Sequence, residues 1–239
     1  MVVFDMAGTT VQDHREVENC FAKAALESGL KASRASINAM MGWPKKKVIQ
    51  TLWSEQIGNL APTYQESVDS TYQLFRTILE DHYRTQTVLP VEGVEDLFKL
   101  LRRSGVKVVL TTGFYREVAD IILARLDWNR GLNHEYVQEG NGLIDLSLTP
   151  DETGHGRPHP TMIQVAMQRF LIEDPKRVVK IGDTPADLKA GKSAGVWSLG
   201  VTNGTHSEEE LSQHPNDGLL PSVSALPNFL KKDLAAVQK

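Results

Sequence analysis

Four short apolar runs along the chain predict the strands of a buried sheet. They are Val2-Val3-Phe4, Val106–Leu110, Val178–Ile181 and Val196–Val201. Each run is rich in Val, Ile or Leu and too short for a helix, which is typical of parallel strands covered on both faces. The spacing of apolar residues predicts helices between the later runs, over Val94–Ser104, Glu117–Leu126 and Pro160–Phe170. Strands that alternate with helices indicate an α/β protein with right-handed crossovers.

The stretch between the first and second runs has a different pattern, with about 75 residues of helical character and no strand. Its predicted helices are Glu16–Ser28, Ala35–Met41, Pro44–Gln56 and Ser67–Tyr83. The simplest interpretation is an all-helical domain inserted after the first strand. We therefore predict an α/β core formed by residues 1–13 and 90–239, and a helical domain formed by residues 14–89. Pro90 and Gly93 mark the return to the core.

Composition narrows the class of protein. The 239 residues are 41% hydrophobic and 23% charged with a formal net charge of −4, which excludes collagen-like, disordered and disulfide-stapled chains. The single Cys20 fits a reducing compartment. No apolar run approaches the ~18 residues of a membrane span, and the N-terminus lacks the features of a signal peptide. Because a basic excess is absent as well, we expect a cytoplasmic protein that binds neither nucleic acid nor membrane.

Polar residues follow three of the predicted strands at their carboxyl ends. The clusters are Asp5–Thr10, Thr111-Thr112-Gly113 and Gly182–Asp187. A single Asp after a strand is commonly a helix cap or a turn residue. In an open parallel sheet, however, ligands bind beyond the carboxyl ends of the strands, so three such clusters are expected to meet in one crevice. Their coincidence favours a functional site.

The acidic residues of these clusters are typical of phosphoryl transfer. Asp5 can attack phosphorus as a carboxylate nucleophile. Asp183 can join Asp5 as an oxygen ligand of Mg²⁺. Asp187 can act as a further ligand, or it can hold the other ligands in position without touching the metal.

The remaining polar residues suit the phosphoryl group itself. Thr112 and the backbone N–H groups around Gly113 can receive phosphate oxygens. Arg157, which stands just ahead of a predicted helix, can balance the charge of the transition state. The partner expected from this set is a small phosphorylated substrate.

The order of these residues resembles the four motifs of the haloacid dehalogenase superfamily, and the resemblance spans residues 1 to about 205. Most members carry a second Asp two residues after the nucleophile and a Lys in the third motif, where this chain has Ala7 and Arg157. These two differences resemble the phosphonatase branch, which extends the expected substrate to a phosphonate. The resemblance implies a Rossmann-like core with an inserted helical cap of the C1 type, and an Mg²⁺-dependent hydrolase. It also implies that the backbone carbonyl of Ala7 is a metal ligand.

The resemblance further implies a Schiff-base lysine in the helical domain. Phosphonatases place this lysine in a Met-Gly-x-x-Lys segment, and Met41-Gly42-Trp43-Pro44-Lys45 puts Lys45 at the matching position and Met41 and Gly42 beside the substrate. An imine on Lys45 would accept electrons when a C–P bond breaks, which explains why Ala7 can replace an acid. The neighbouring Lys46 and Lys47 are expected to lower the pKa of Lys45.

Two positions depart from the phosphonatase pattern, since Val48 stands in the place of a His and Phe114 in the place of a Tyr. Three hypotheses therefore stay open. The first is hydrolysis of phosphonoacetaldehyde or a related phosphonoaldehyde. The second is a phosphatase for small phosphate monoesters in which Lys45 only binds substrate. The third is a catalytically silent binding module. The sequence also leaves open a homodimer that pairs through the cap.

Overall fold

The computed structural model describes residues 1–237 of the chain and the side chains of residues 1–231. Within this part, six strands form one parallel sheet in the order β3-β2-β1-β4-β5-β6. The strands are β1 (Val2–Asp5), β2 (Val108–Thr111), β3 (Leu146–Leu148), β4 (Val179–Gly182), β5 (Trp197–Val201) and β6 (Gly218–Leu220). The strand order reverses direction at β1 and β4, so the carboxyl ends of these two strands flank the crevice where such sheets bind ligands.

Eleven α-helices occur within residues 1–237. They are α1 (Glu16–Ser28), α2 (Arg34–Ala39), α3 (Lys45–Ile57), α4 (Tyr64–Thr85), α5 (Val94–Arg103), α6 (Arg116–Arg125), α7 (Pro150–Thr153), α8 (Thr161–Arg169), α9 (Pro185–Ala194), α10 (Glu208–Ser212) and α11 (Leu226–Val237). Each helix predicted from the apolar spacing is present, with ends that agree to within three residues. Even α4, the longest described helix at 22 residues, lacks the apolar stretch that a membrane span requires, and so do the others.

The four predicted strands correspond to β1, β2, β4 and β5, and the predicted α/β class is confirmed. The second of them begins at Val108 and not at Val106, because the N–H of Val106 closes the end of α5 on the carbonyl of Leu101. Strands β3 and β6 escape the pattern because each is only three residues long. They lie at the two edges of the sheet, and they contain Ser147 and Gly218.

The sheet is covered on both faces by apolar side chains. Along β1, Val3 packs with residues of α8 such as Ile163 on one face. Phe4 points to the opposite face and packs against Phe98 of α5, with 5.3 Å between ring centroids. Alternation of this kind follows from the two-residue period of a strand. Because both faces are filled, the polar residues of the crevice lie at the strand ends.

Helices α1 to α4, here called the helical insertion, lie between β1 and α5 along the chain. Phe21 and Phe75 hold α1 against α4 with ring centroids 5.4 Å apart. The outgoing and returning segments lie side by side, because Val11 bridges Pro90 and the N–H of Val91 binds the carbonyl of Thr10 at 2.9 Å. The division into domains at residues 13 and 90 stays a prediction.

Candidate active site

A small cavity between the helical insertion and the sheet contains most of the predicted site residues. Eight of the ten line it: Asp5, Ala7, Met41, Gly42, Lys45, Thr112, Gly113 and Arg157. The other two, Asp183 and Asp187, group with Asp5 at its base. The centre of a water-sized sphere can occupy about 20 Å³ of this cavity, which is room for about one or two water molecules.

The guanidinium of Arg157 lies between two of the carboxylates and is itself buried. Its Nη2 lies 2.8 Å from Oδ1 of Asp5, and its Nη1 pairs with Oδ1 of Asp187. Lys180 in β4 reaches the same oxygen of Asp187, with its Nζ 2.7 Å away. The hydroxyl of Thr184 donates to the other oxygen of Asp187 at 2.6 Å. Protein donors therefore occupy both oxygens of Asp187, which makes it the counterion of two buried cations.

Asp183 is held by a separate set of donors. The hydroxyl of Thr9 donates to its Oδ1 at 3.1 Å, and the N–H of Thr205 donates to its Oδ2 at 2.7 Å. A Cβ at either Gly8 or Gly204 would collide with this carboxylate, and Gly8 has a φ of +82°. Only glycine lets the loops after β1 and β5 close around Asp183 in this way.

The three carboxylates have different pKa values because burial raises all of them but the neighbouring cations do not act on them equally. Burial raises the pKa of Asp5 to about 7 against the opposing pull of Arg157. Burial and the charge of Asp187 also raise the pKa of Asp183. Burial would raise the pKa of Asp187 as well, but Arg157 and Lys180 outweigh it and hold this pKa at about 2. A cation bound between Asp5 and Asp183 would favour the ionised form of both carboxyl groups.

The same cluster fits a divalent metal ion. Asp5, Asp183 and Asp187 offer buried carboxylate oxygens within 4.8 Å of one another, and such oxygens are the ligands that Mg²⁺ prefers. Among the described residues, Oδ1 of Asp5 has no hydrogen-bond partner apart from its ion pair with Arg157, so it can accept a further ligand. Among the described residues, the cations that contact this cluster are Arg157 and Lys180; both pair with Asp187, and Arg157 also pairs with Asp5. The donor atoms and the uncompensated charge both suit a cation.

Two predicted substrate residues, Gly42 and Gly113, form the closest approach between the helical insertion and the core. A Cβ at Gly113 would lie 2.8 Å from the carbonyl oxygen of Gly42 and 2.9 Å from that of Trp43. Gly42 has a φ of +85°, and a Cβ there would press on the hydroxyl of Thr184. The two glycines thus allow the loop before α3 to reach the carboxyl ends of β2 and β4.

Lys45, the first residue of α3, is buried at the cavity, with 6% of its surface exposed. Its Nζ donates to Sδ of Met41 at 3.4 Å. Burial lowers the pKa of Lys45 to about 8, and the charge of Arg157 adds to the effect. This cause differs from the one predicted, since the neighbouring Lys46 is exposed and pairs with Asp69 at 3.0 Å. The lowered pKa leaves a useful fraction of free amine near neutral pH.

Sequence reasoning missed two residues of this region, Lys180 and Asp13. Lys180 is a charged residue that is only 1% exposed, within the buried strand β4. A lysine inside the apolar run Val178–Ile181 was the sequence signal that could have identified it. Asp13 lines the cavity together with Lys45. It stands where the chain leaves β1 for the helical insertion, and nothing in its sequence neighbours distinguishes it from a turn residue.

Comparison with known proteins identifies the class. A family model described as haloacid dehalogenase-like hydrolase matches residues 1–195, which include every residue of the site. The chain therefore belongs to the haloacid dehalogenase-like hydrolases, and it is a hydrolase.

Its relatives give a narrower placement within that family. A phosphonoacetaldehyde hydrolase of Bacillus cereus is 31% identical over 230 residues, which cover 89% of this chain and 78% of the relative. A phosphonoacetaldehyde hydrolase of Bacillus mycoides is 30% identical over 238 residues, which cover 92% and 81%. The resemblance to the phosphonatase branch that the motifs predict is confirmed.

Solved structures share the fold. A phosphonoacetaldehyde hydrolase like protein from Oleispira antarctica superposes with a TM-score of 0.76 at 18% identity, over 97% of this chain and 91% of that one. A hydrolase from Pseudomonas syringae gives a TM-score of 0.76 at 17% identity, over 97% of both chains. At these identities the likeness establishes the Rossmann-like architecture alone.

Proposed function

We propose that this hydrolase cleaves the C–P bond of phosphonoacetaldehyde or a related phosphonoaldehyde. One observation carries the proposal: the buried amine of Lys45 lines the same small cavity as Asp5, and Ala7 replaces an acid beside them. The name of the Bacillus relatives agrees with this substrate. The cavity then has a phosphoryl end, formed by Asp5, Thr112 and Arg157, and a carbon end, formed by Lys45, Asp13 and Phe114.

At the phosphoryl end, a carboxylate oxygen of Asp5 attacks phosphorus and forms an aspartyl-phosphate while the C–P bond breaks. Arg157 places a fixed positive charge beside this oxygen. The hydroxyl oxygen of Thr112 accepts the N–H of Phe114 at 3.1 Å, so its hydrogen is free to be donated to a phosphoryl oxygen. Water then attacks phosphorus, which releases phosphate and restores Asp5.

The metal site has a place in the same proposal. Mg²⁺ held by Asp5, Asp183 and the backbone carbonyl of Ala7 would neutralise charge on the phosphoryl oxygens. Asp187 was predicted as a further ligand or a supporting residue, and its contacts favour the second role. Both of its oxygens hold donors from Arg157, Lys180 and Thr184, which fixes the guanidinium in place.

At the carbon end, the free amine of Lys45 attacks the aldehyde carbon and loses water to form an imine. The protonated imine accepts the electron pair of the breaking C–P bond and becomes an enamine. The enamine takes a proton on carbon, and hydrolysis of the resulting imine frees the aldehyde product and Lys45. Because the leaving group is a carbon atom and not an alkoxide, no acid is required at Ala7.

The test of this proposal is to trap the imine. Enzyme, phosphonoacetaldehyde and borohydride are incubated together, and peptide mass spectrometry then locates the reduced adduct. We expect the adduct on Lys45, and we expect Lys45→Ala to lower phosphate release by about 10³-fold, a loss comparable to that of a positioned acid–base group. The matched control is Lys47→Ala, because Lys47 is exposed in the same helix. If no phosphonoaldehyde leaves an adduct on Lys45, the Schiff-base mechanism is wrong.

A phosphatase for small phosphate monoesters is the second candidate. It is favoured by Asp13, which brings a carboxyl group to the cavity where Ala7 offers none. An alkoxide leaving group needs such an acid. This candidate predicts phosphate release from a panel of monoesters that survives Lys45→Ala and is lost in Asp13→Asn. The first candidate predicts that Lys45→Ala abolishes turnover of the preferred substrate.

A further inference from the structure

Asp13 lines two spaces at once. One is the small cavity that it shares with Asp5 and Lys45. The other is a larger groove of about 500 Å³, where its neighbours include His14 and Glu92. Asp13, which is half-buried, therefore borders both the cavity and the groove. This position allows its carboxyl group to exchange a proton with solvent.

The side chain of Asp13 is held in this wall by the start of α1. Its Oδ1 accepts the N–H of Glu16 at 2.7 Å, and the two side chains share a hydrogen bond. Oε2 of Glu16 is buried and has no hydrogen-bond partner among the described residues. Two carboxyl groups this close do not both ionise readily, so the pair retains one proton.

Burial and the hydrogen bond to Glu16 raise the pKa of Asp13 to about 8. Burial lowers the pKa of Lys45 from 10.5 to about 8, whereas it raises that of Asp13 to a similar value. Of the carboxylates that act on Lys45, Asp13 acts most strongly, ahead of Asp5 and Asp183. Near a pH of about 8 each group is therefore partly protonated, which suits an amine nucleophile and its acid–base partner.

Several other groups face this pair and set its charge. Those around Asp13 are Glu16 and Cys20 in α1, Lys45 in α3, Tyr83 in α4, Asp183 after β4 and His14 in the same loop. Arg157 and Asp5 complete the set around Lys45. Tyr83 is buried, and its hydroxyl lacks a hydrogen-bond partner among the described side chains.

The chemistry at Lys45 needs a proton-transfer group that the other residues nearby do not supply. Imine formation moves protons three times between nitrogen, the carbonyl oxygen and an acid–base partner. Val48, three residues after Lys45, and Phe114, two residues after Thr112, are apolar and 2% exposed. Asp5 is engaged with Arg157 at the phosphoryl end.

We propose that Asp13 is the acid–base residue for imine formation at Lys45, a role that rests on the proposed function. As the amine nitrogen attacks the carbonyl carbon, Asp13 gives its proton to the carbonyl oxygen. The carboxylate then takes a proton from the nitrogen and returns it to the hydroxyl group. The C–O bond breaks, water leaves, and the nitrogen lone pair forms the protonated imine. Asp13 is left as a carboxylate and recovers a proton from the groove.

The test measures imine formation without a phosphonate. Enzyme is incubated with glycolaldehyde and cyanoborohydride, and the rate of adduct formation at Lys45 is followed by peptide mass spectrometry. Asp13→Asn keeps an oxygen that can accept the N–H of Glu16, so α1 retains its first-turn hydrogen bond. The control variant is Asp81→Asn, because Asp81 is exposed in α4. The exposed Lys47 serves as an internal reference in every sample.

We expect Asp13→Asn to slow labelling of Lys45 by about 10²-fold and to leave labelling of Lys47 unchanged. Asp81→Asn should label Lys45 at the wild-type rate. Wild-type labelling of Lys45 should rise as Lys45 loses its proton and fall as Asp13 loses its own, both near a pH of about 8. Asp13→Asn should remove the alkaline fall, which a purely structural role would not do.

Three results would overturn the role of Asp13. One is labelling of Lys45 in Asp13→Asn at the wild-type rate. Another is faster labelling at neutral pH, which would mean that Asp13 only holds Lys45 in its protonated form. The third is a wild-type rate that stays level above the pKa of Lys45, and this result decides the matter even if the variant does not fold. Failure of the proposed function reads differently: labelling depends on Asp13, but no phosphonoaldehyde releases phosphate.

Discussion

The two ends of the cavity treat buried charge in opposite ways. At the phosphoryl end, Asp5 and Asp187 both contact Arg157, and a second cation, Lys180, contacts Asp187. At the carbon end, the ammonium group of Lys45 has a thioether as its hydrogen-bond partner among the described residues. Both ends are buried, but only the first pairs its charges directly.

This difference matches what each end has to do. A phosphoryl group carries negative charge throughout the reaction, so the groups that bind it should keep their charges fixed, as Arg157 does for Asp187. A nucleophilic amine must lose its proton near neutral pH, and burial without a carboxylate in contact lowers the pKa of Lys45 for that purpose. The fixed charges stand on the sheet and on the segments that flank it, in β1, β4, α9 and the loop before α8, and the variable one stands on a helix of the insertion.

The largest expected effect is a loss of phosphate release caused by a substitution at the phosphoryl end alone. Asp5→Asn removes the attacking oxygen, and we expect phosphate release from any substrate to fall by at least about 10⁴-fold. Labelling of Lys45 by glycolaldehyde should persist in this variant, because the carbon end is unchanged. If the wild type releases no more phosphate than Asp5→Asn from any substrate, the result supports a catalytically silent binding module. Phosphate release and labelling are measured on the same preparation.

Much of the fold can be predicted from the sequence because its strands are buried on both faces. The runs at β1, β2, β4 and β5 contain almost only apolar residues, so a short window identifies them. Strands β3 and β6 are three residues long, and the backbone partners that make them strands lie far away in sequence. Contacts of that kind leave no local pattern.

The candidate site divides in the same way. Asp5 and Asp183 could be predicted because both directly follow an apolar strand, and parallel topology then brings them together. Lys45 required a family resemblance, since a lysine at the start of a helix is ordinarily solvated. Lys180 and Asp13 depend on burial by distant segments. Their roles therefore became visible only in three dimensions.

The next effect tests the pairing of charges at the phosphoryl end. Lys180→Met replaces a buried ammonium group by an apolar side chain of similar length and leaves Asp187 with one cation fewer. Removing one partner from a buried ion pair destabilises a protein by about 4 kcal/mol. We expect a loss of this order in the free energy of unfolding, measured in urea, and partial recovery in Lys180→Met combined with Asp187→Asn. Lys176→Met, at an exposed site just before β4, is the control.

The smallest expected effect concerns the carbon end. Here the substitution should raise the free energy of unfolding, whereas Lys180→Met should lower it. Lys45→Met makes the same chemical change at a site that is also buried, but here the lysine has no carboxylate in direct contact. The pKa of Lys45 is about 8 in the folded protein and has the ordinary value of 10.5 in the unfolded chain. At a pH below about 8, folding must bury a charged amine, which lowers the free energy of unfolding of the wild type. The penalty shrinks between the two values, where the unfolded chain binds a proton that the folded protein does not.

Lys45→Met should therefore be more stable than the wild type at pH 7, by about 3 kcal/mol at most. The advantage should decrease as the pH rises from about 8 towards 10.5. Urea denaturation of both proteins across this range measures the difference directly. A constant difference would mean that the pKa of Lys45 is not lowered by folding. A loss of stability at neutral pH, as expected for Lys180→Met, would show that Lys45 is paired after all, and the contrast between the two ends would disappear.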